Sequence, residues 1–531
     1  MKKYWVAIVL SFIVLLSVGL FFFKINQVPR CLNADEASFA YNAYSILKTG
    51  ADEYGKFLPL RLKAFGDNRF PLLSYLAIPW IAILGLNETA ARLANFPFVL
   101  LFPIAVFFLA KELFNNKCTP LIAALMTALS VGLQSMGRQT HEAYVTAFLL
   151  TVATYFFVRF IKKQTTLNFS LFNLIFFLAL FGYHSTRLWA GFYFLVLLFS
   201  TVKKKIRLKH LLIYVGVLLI FAVTDLIYTP SRVANLLFFN SEGFKAKVYE
   251  LRIEGGLRFI YNKATVGAKD VINEYSKYFS PQFLAINGDE NYRFGYPGMG
   301  PITIVEYILV FVGIYFLFKN KEKWRYLLAA LFLFSPVSAI LSWAGMSLTR
   351  SLFIIIPAVI IAAYAVSELT KKSKWLLAGV LGLYLIFAAY NWDFYLFHFP
   401  QRAVVVRAWQ CGYKELAGYV KENYKRFDQF YITKKNGQPY IFLLFYLNYP
   451  PALYQTQAKL SPPDEYGFGQ VEEFDKFKFS VAPVGADKNA VVVGFPDDFP
   501  SDITTAEKES IKIIKVGTEE MFWIKEITKT P

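Results

Sequence analysis

The sequence predicts a polytopic α-helical membrane protein with a small extracytoplasmic α/β domain at its C-terminal end. Three observations lead there. Of 531 residues, 56% are hydrophobic and 18% aromatic, with a mean hydropathy of +0.41, and the excess lies in runs long enough to cross a bilayer. Lysines and arginines cluster in short connections after alternate runs, as the positive-inside rule requires. Beyond residue 392 the long runs cease and short strand-like segments take over. The net charge of +19 is therefore spread over membrane loops. No basic arm and no nucleic-acid motif accompanies it, which argues against nucleic acid as a partner.

The first run, 4–23, follows Met1-Lys2-Lys3 and has no small-residue cleavage site, so it reads as a retained anchor with a cytoplasmic N-terminus. Further runs lie at 93–110, 119–135, 143–158, 168–183, 188–202, 211–229, 302–318, 326–343, 351–367 and 375–392, giving about eleven spans. Lys111 and Lys117, Arg159 and Lys163, Lys203 to Lys209, Lys319 to Arg325, and Lys371 to Lys374 then mark the cytoplasmic side. The run 72–86 is short, carries Pro79 inside and follows Pro71, so it is expected to be an interfacial or re-entrant helix.

Three extracytoplasmic pieces remain: loops 24–71 and about 230–300, and the tail. The expected division is a membrane domain at 1–399 and an accessory domain at 400–531. In the tail "RFDQFYIT", "PYIFLLFYL", "AVVVGF" and "IKIIKV" read as strand-like or buried runs, separated by turns such as "KKNGQP" and "FPDDFP". Cys31 and Cys411 fall on the same expected face and could pair. With Cys118 the total is three, which makes neither a disulfide framework nor a metal cluster.

The first loop holds the sharpest signal. Asn33 is a good N-cap, Glu36 occupies the third helical position, and Phe39, Ala40, Ala43, Tyr44 and Leu47 recur at helical spacing until Gly50. Asp35 and Glu36 thus fall in a helical first turn. Complementing the helix dipole accounts for both acids. Alternatively Asp35 stays ionised beside a cavity and takes a proton from an incoming hydroxyl, with Glu36 as structural support. The outer loops carry single arginines, Arg138, Arg187 and Arg350, joined by Arg69 before the short run. Guanidinium forks suit phosphate oxygens, while arginines at helix ends also snorkel to ordinary headgroups.

Glu142, four residues after Arg138, would share a helix face with it and either pair with it or act as a second acid. His141 and His184 are too few for a metal site. Asp225, inside an apolar run, has no identifiable partner. In the turn-rich "SPQFLAINGDENYRFGYPGMG", Asp289, Glu290 and Arg293 could support a substrate wall or form a solvated turn.

"NADEASFAYNAYSILKTGADEYGKFLPL", "RFPLLSYLAIP", "GLNETAARLANFP", "GRQTHEAY", the 280–300 loop and "SPVSAILSW" to "SLTRS" together resemble the GT-C membrane glycosyltransferases, in particular the branch of protein O-mannosyltransferases and the lipid A aminoarabinose transferase. The resemblance implies a GT-C-like fold and an inverting transfer of a sugar from a polyprenyl-phosphate donor to a hydroxyl acceptor on the outer face of the cell membrane. By motif, Asp35 corresponds to the catalytic acid and Glu142 to the second acid. Arg69 stands where relatives place a basic residue before proline, although here Phe70 intervenes before Pro71. Arg69, Arg138, Arg187 and Arg350 would bind the donor phosphate, with Glu36, Tyr44, Asp289 and Arg293 in support. No cofactor or metal is required, and a divalent ion is not excluded. The acceptor, whether protein, lipid or glycan, is not legible. A flippase for lipid-linked sugars is the rival reading. It would need charged residues along the spans, which are nearly uncharged. A structural or sensory protein, the second rival, leaves the first loop unexplained.

Overall fold

The computed structural model of the chain describes residues 4–65, 67–228, 239, 241–342, 345–371, 373–462, 471–480, 488–500 and 509–529. Met1 to Lys3, positions 229–238 and 240 of the run and loop expected there, Trp343 and Lys372 lie outside the described residues. In chain order the elements begin α1 (Trp5–Phe22), α2 (Ala34–Thr49), β1 (Leu62–Ala64), β2 (Asp67–Arg69), α3 (Leu72–Leu84), α4 (Glu88–Arg92) and α5 (Phe96–Leu113). They continue with α6 (Cys118–Leu129), α7 (Val131–Gly137), α8 (Glu142–Lys163), α9 (Thr166–Gly182), α10 (Arg187–Val202) and α11 (Leu208–Tyr228).

Two compact units result. Unit 1 comprises residues 1–23, 96–137 and 142–396, and unit 2 comprises residues 24–95, 138–141 and 397–531. Unit 2 thus joins the first loop to the C-terminal residues.

Unit 1 is a helical bundle whose apolar runs are helical because backbone polar groups in lipid must be paired within the segment. Among the described residues seven helices are long and apolar enough to cross a membrane, or eight if the pair α6 and α7, bent by 56°, counts as one. About eleven spans were expected, and the remaining expected runs form shorter helices. The 17 residues of α9 and the 16 of helix Ile304–Lys319 extend only about 24–26 Å at 1.5 Å per residue, against a hydrocarbon core of about 30 Å. Arg325–Ile340 is likewise a shorter apolar helix. The span Leu348–Thr370 is 94% buried inside the bundle. Its backbone comes so close to helix Ile304–Lys319 that a Cβ on Gly313 would lie 2.2 Å from the Ile361 carbonyl oxygen, so only glycine fits there.

Unit 2 contains a seven-stranded sheet in the order β4-β5-β6-β3-β7-β9-β8. Its strands are β3 (Gln429–Ile432), β4 (Lys459–Leu460), β5 (Val471–Phe474), β6 (Phe477–Lys478), β7 (Ala490–Gly494), β8 (Lys512–Val516) and β9 (Glu519–Ile527). β3 runs parallel to both β6 and β7, and the other pairs are antiparallel. The segment "PYIFLLFYL", read as strand-like or buried, forms the buried helix Pro439–Tyr446, with proline in its first turn. A continuous apolar run has no period that separates a buried helix from a buried strand.

The short run 72–86 is α3, thirteen residues with Pro79 inside. α2 packs against α3 and against helix Pro439–Tyr446. The Ser74 hydroxyl donates to the Phe39 carbonyl at 2.9 Å, and the Tyr41 hydroxyl donates to the Tyr449 carbonyl at 3.0 Å. A disulfide joins Cys31 to Cys411, 380 residues apart. Gly50 ends α2 in a left-handed conformation (φ 72°), and a side chain there would collide with the Phe57 ring at 2.8 Å.

Candidate active site

The capping box expected at the start of α2 is present. The Asn33 Oδ1 accepts the Glu36 N–H at 3.1 Å, and Glu36 Oε2 accepts the Asn33 N–H at 3.2 Å. The next contacts separate the two acids. Glu36 is wholly buried, its Oε1 accepting the Thr140 N–H at 3.1 Å and lying 3.6 Å from Arg92 Nε, whose side chain is also 0% exposed. Arg92 donates further to the carbonyls of Ile25 (2.5 Å) and Cys31 (3.0 Å). Burial pushes the Glu36 carboxyl up, while Arg92 and the Thr140 and Asn33 N–H groups pull it back. Glu36 thus ties α2 to α4 and to the turn 138–141.

Asp35, one residue earlier, keeps 31% of its side chain exposed and accepts from Arg69 Nη1 at 2.7 Å. Arg69 ends β2, which pairs with β1 in the register Leu62 opposite Arg69. Its guanidinium lies over the Phe65 ring at 5.1 Å and the Phe39 ring at 5.9 Å. Both rings lie against the guanidinium that meets Asp35. The carboxylate so paired stays reachable from outside.

Arg138, expected among the phosphate-binding arginines, has another place. It is 0% exposed, and its Nε and Nη2 donate to the Val28 carbonyl at 3.2 and 2.7 Å. A guanidinium buried in this way holds the first loop. Residues 138–141 also form the break between α7 and α8, so Arg138 and Glu142 do not share a helix as expected. Tyr44 lies further along α2, its ring under Lys48 Nζ at 5.8 Å and away from the Asp35 pair.

Unit 1 gathers other members of the expected set. Glu142 opens α8, and its charge reaches Tyr183, as does that of Arg350. Tyr183 contacts the Thr349 hydroxyl at 3.4 Å. The Nη1 of Arg350 is buried with no hydrogen-bond partner among the described residues, a donor arrangement that an anion would complete. Asp289 supports this turn. Its Oδ2 accepts the Leu348 N–H at 2.6 Å and its Oδ1 the Asn291 N–H at 2.7 Å. Burial pushes its carboxyl up to about 6, partly offset by those N–H groups and by the nearby Arg293. Arg187 is engaged by Asp225 at 2.9 Å, which supplies the partner that Asp225 lacked in the sequence. Glu290 borders a cavity of about 310 Å3 together with Lys247, Asp270, Lys277 and Gly345. Among the described residues no group of three or more histidine, cysteine, aspartate or glutamate side chains could hold a metal ion.

Sequence reasoning missed Arg92, Tyr183 and the buried acids Asp52 and Glu53. Arg92 and Glu53 stand inside segments that carry the resemblance, but nothing local marks either as a long-range partner.

Residues 68–228 match the family model of dolichyl-phosphate-mannose-protein mannosyltransferases. Across 99% of this chain and 98% of its own, the crystal structure of ArnT from Cupriavidus metallidurans in the apo state superposes with a TM-score of 0.53 at 12% identity. The fold is GT-C. The resemblance to mannosyltransferases and to the aminoarabinose transferase thus holds in family model and in fold. ArnT bound to undecaprenyl phosphate covers the same shares at a TM-score of 0.48 and 12% identity. AglB, the Archaeoglobus fulgidus oligosaccharyltransferase solved with an inhibitory peptide and a dolichol-phosphate, matches 84% of this chain at a TM-score of 0.48 and 13% identity. The chain spans 61–64% of the length of the archaeal oligosaccharyltransferases. No curated protein matches it by sequence.

Proposed function

We propose that this protein is an inverting glycosyltransferase that moves a sugar from a polyprenyl-phosphate donor to a hydroxyl acceptor on the extracytoplasmic face of the membrane. The observation that carries the reading is the half-exposed Asp35 held by Arg69 at 2.7 Å in the first turn of α2. The mannosyltransferase family match at 68–228 and the GT-C fold support the donor class. The structures with undecaprenyl phosphate and dolichol-phosphate are those of relatives, and that lipid chemistry is carried here as part of the proposal.

In this mechanism Asp35 takes the proton of the acceptor hydroxyl as the oxygen attacks the anomeric carbon. The bond from that carbon to the phosphate oxygen breaks on the opposite face, and the configuration inverts. The leaving phosphate gathers charge, and Arg69 turns its donors towards it, which frees Asp35 to accept the proton. The Cys31–Cys411 bridge fits an oxidising compartment and so the outer face for unit 2.

Mass spectrometry of lipid co-purified with the protein tests the donor class. A polyprenyl phosphate bearing a sugar is expected, and its transfer to an added acceptor by the reconstituted protein completes the test. A preparation that moves lipid-linked sugar between leaflets without transferring it contradicts the proposal.

A further inference from the structure

Glu53 takes no part in the mechanism above, yet it is 1% exposed and built into the back of the same site. It sits in the turn after α2, where Asn42 Oδ1 accepts its backbone N–H at 2.9 Å. The Tyr440 hydroxyl donates to its Oε1 at 3.3 Å, and its Oε2 has no hydrogen-bond partner among the described residues. From there a column of contacts runs forward within unit 2. The Tyr440 ring meets Phe65 edge to face at 6.1 Å, Phe65 lies under the Arg69 guanidinium at 5.1 Å, and Arg69 reaches Asp35 at 2.7 Å.

We propose that Glu53 is a positioning residue that holds Arg69 against Asp35 through Tyr440 and Phe65. This rests on the reading of Asp35 and Arg69 as the reacting pair. The groups facing Glu53 are Asp52 on its own turn, Tyr54 just after it, Tyr41 on α2, Arg69 on β2, Tyr440, and Tyr454 on helix Pro451–Gln457. Burial first, and Asp52 second, push the Glu53 carboxyl up to about 8, with Tyr440, Arg69 and Asn42 opposing. Protonated Glu53 is neutral and leaves Arg69 to Asp35. Ionised Glu53 is a second buried anion that competes for the same guanidinium.

The test uses the full-length protein reconstituted with a polyprenyl-phosphate sugar. Glu53→Ala lowers the transfer rate at neutral pH tenfold or more, on the order expected for a misplaced catalytic group. Glu53→Gln, shaped like the protonated acid, restores most of that rate and abolishes the decline that the native protein shows above about pH 8. A Glu53→Gln variant with the native alkaline decline overturns the proposal.

A second readout needs no transfer. In the native protein this group favours folding most below its ordinary value of 4.5, and that contribution falls with rising pH until about 8. Glu53→Gln removes this slope from the melting temperature, and Arg69→Gln carries its upper end to higher pH. An upper end that stays in place in Arg69→Gln overturns the link to Arg69. The shift in Arg69→Gln, seen alongside a native protein that transfers no sugar, sinks the catalytic reading and supports the link.

Discussion

Asp35 and Glu36 are consecutive in the first turn of α2, yet one carboxyl is 31% exposed against Arg69 and the other is 0% exposed against Arg92. The helix sends adjacent side chains about 100° apart, so one turn serves a site and a scaffold at once. The chemistry proposed for Asp35 depends on the anchoring done by Glu36.

Glu36→Ala is expected to unfold unit 2 at lower temperature. It leaves Arg92 buried without its counter-charge, at a cost of about 3–5 kcal/mol. Glu36→Gln, which keeps acceptors for the Thr140 and Asn33 N–H groups, costs less. Thermal melting of both variants in detergent checks the order, and equal losses would contradict the scaffold role.

Cysteine-to-serine changes at Cys31 or Cys411 release the first loop from the C-terminal segment. A loss of about 2–5 kcal/mol is expected. Native melting with and without reductant measures it, and a melt indifferent to reductant would contradict the contribution assigned to the bridge.

Arg350→Ala removes the guanidinium whose Nη1 is left open. Donor affinity is expected to fall by about one to two orders of magnitude, matching about 1.5–3 kcal/mol for a charge-assisted hydrogen bond. Arg350→Lys recovers only part of it, because an ammonium cannot present the same fork. Donor titration gives the answer, and unchanged affinity in Arg350→Ala removes this arginine from the phosphate set.

Asp289, pushed up to about 6 from an ordinary 3.8, binds its proton more tightly folded than unfolded. Its contribution to stability is therefore greatest below 3.8, declines as pH rises, and is gone above about 6. Asp289→Asn should flatten the melting temperature across that window. A slope unchanged in the variant would contradict the burial argument.

Local chemistry was the readable part of this sequence. Asn33 and Glu36 form their capping box because partners three residues apart need only one helical turn. Gly50 stops the helix for an equally local reason. Long-range contacts of the arginines were not legible: Arg138 looked like Arg69 in sequence, but its guanidinium donates to Val28, 110 residues away. Helix Pro439–Tyr446 and strand β9 depended on burial from distant segments, which propensity does not record.

The central claim is tested most directly by Asp35→Asn, which keeps the size and hydrogen-bonding reach of the side chain and removes its basicity. With a polyprenyl-phosphate sugar and an acceptor hydroxyl, single-turnover transfer is expected to fall by about 10²–10⁴-fold, the usual contribution of a positioned general base, while donor binding persists. Transfer at the native rate in Asp35→Asn would contradict the account.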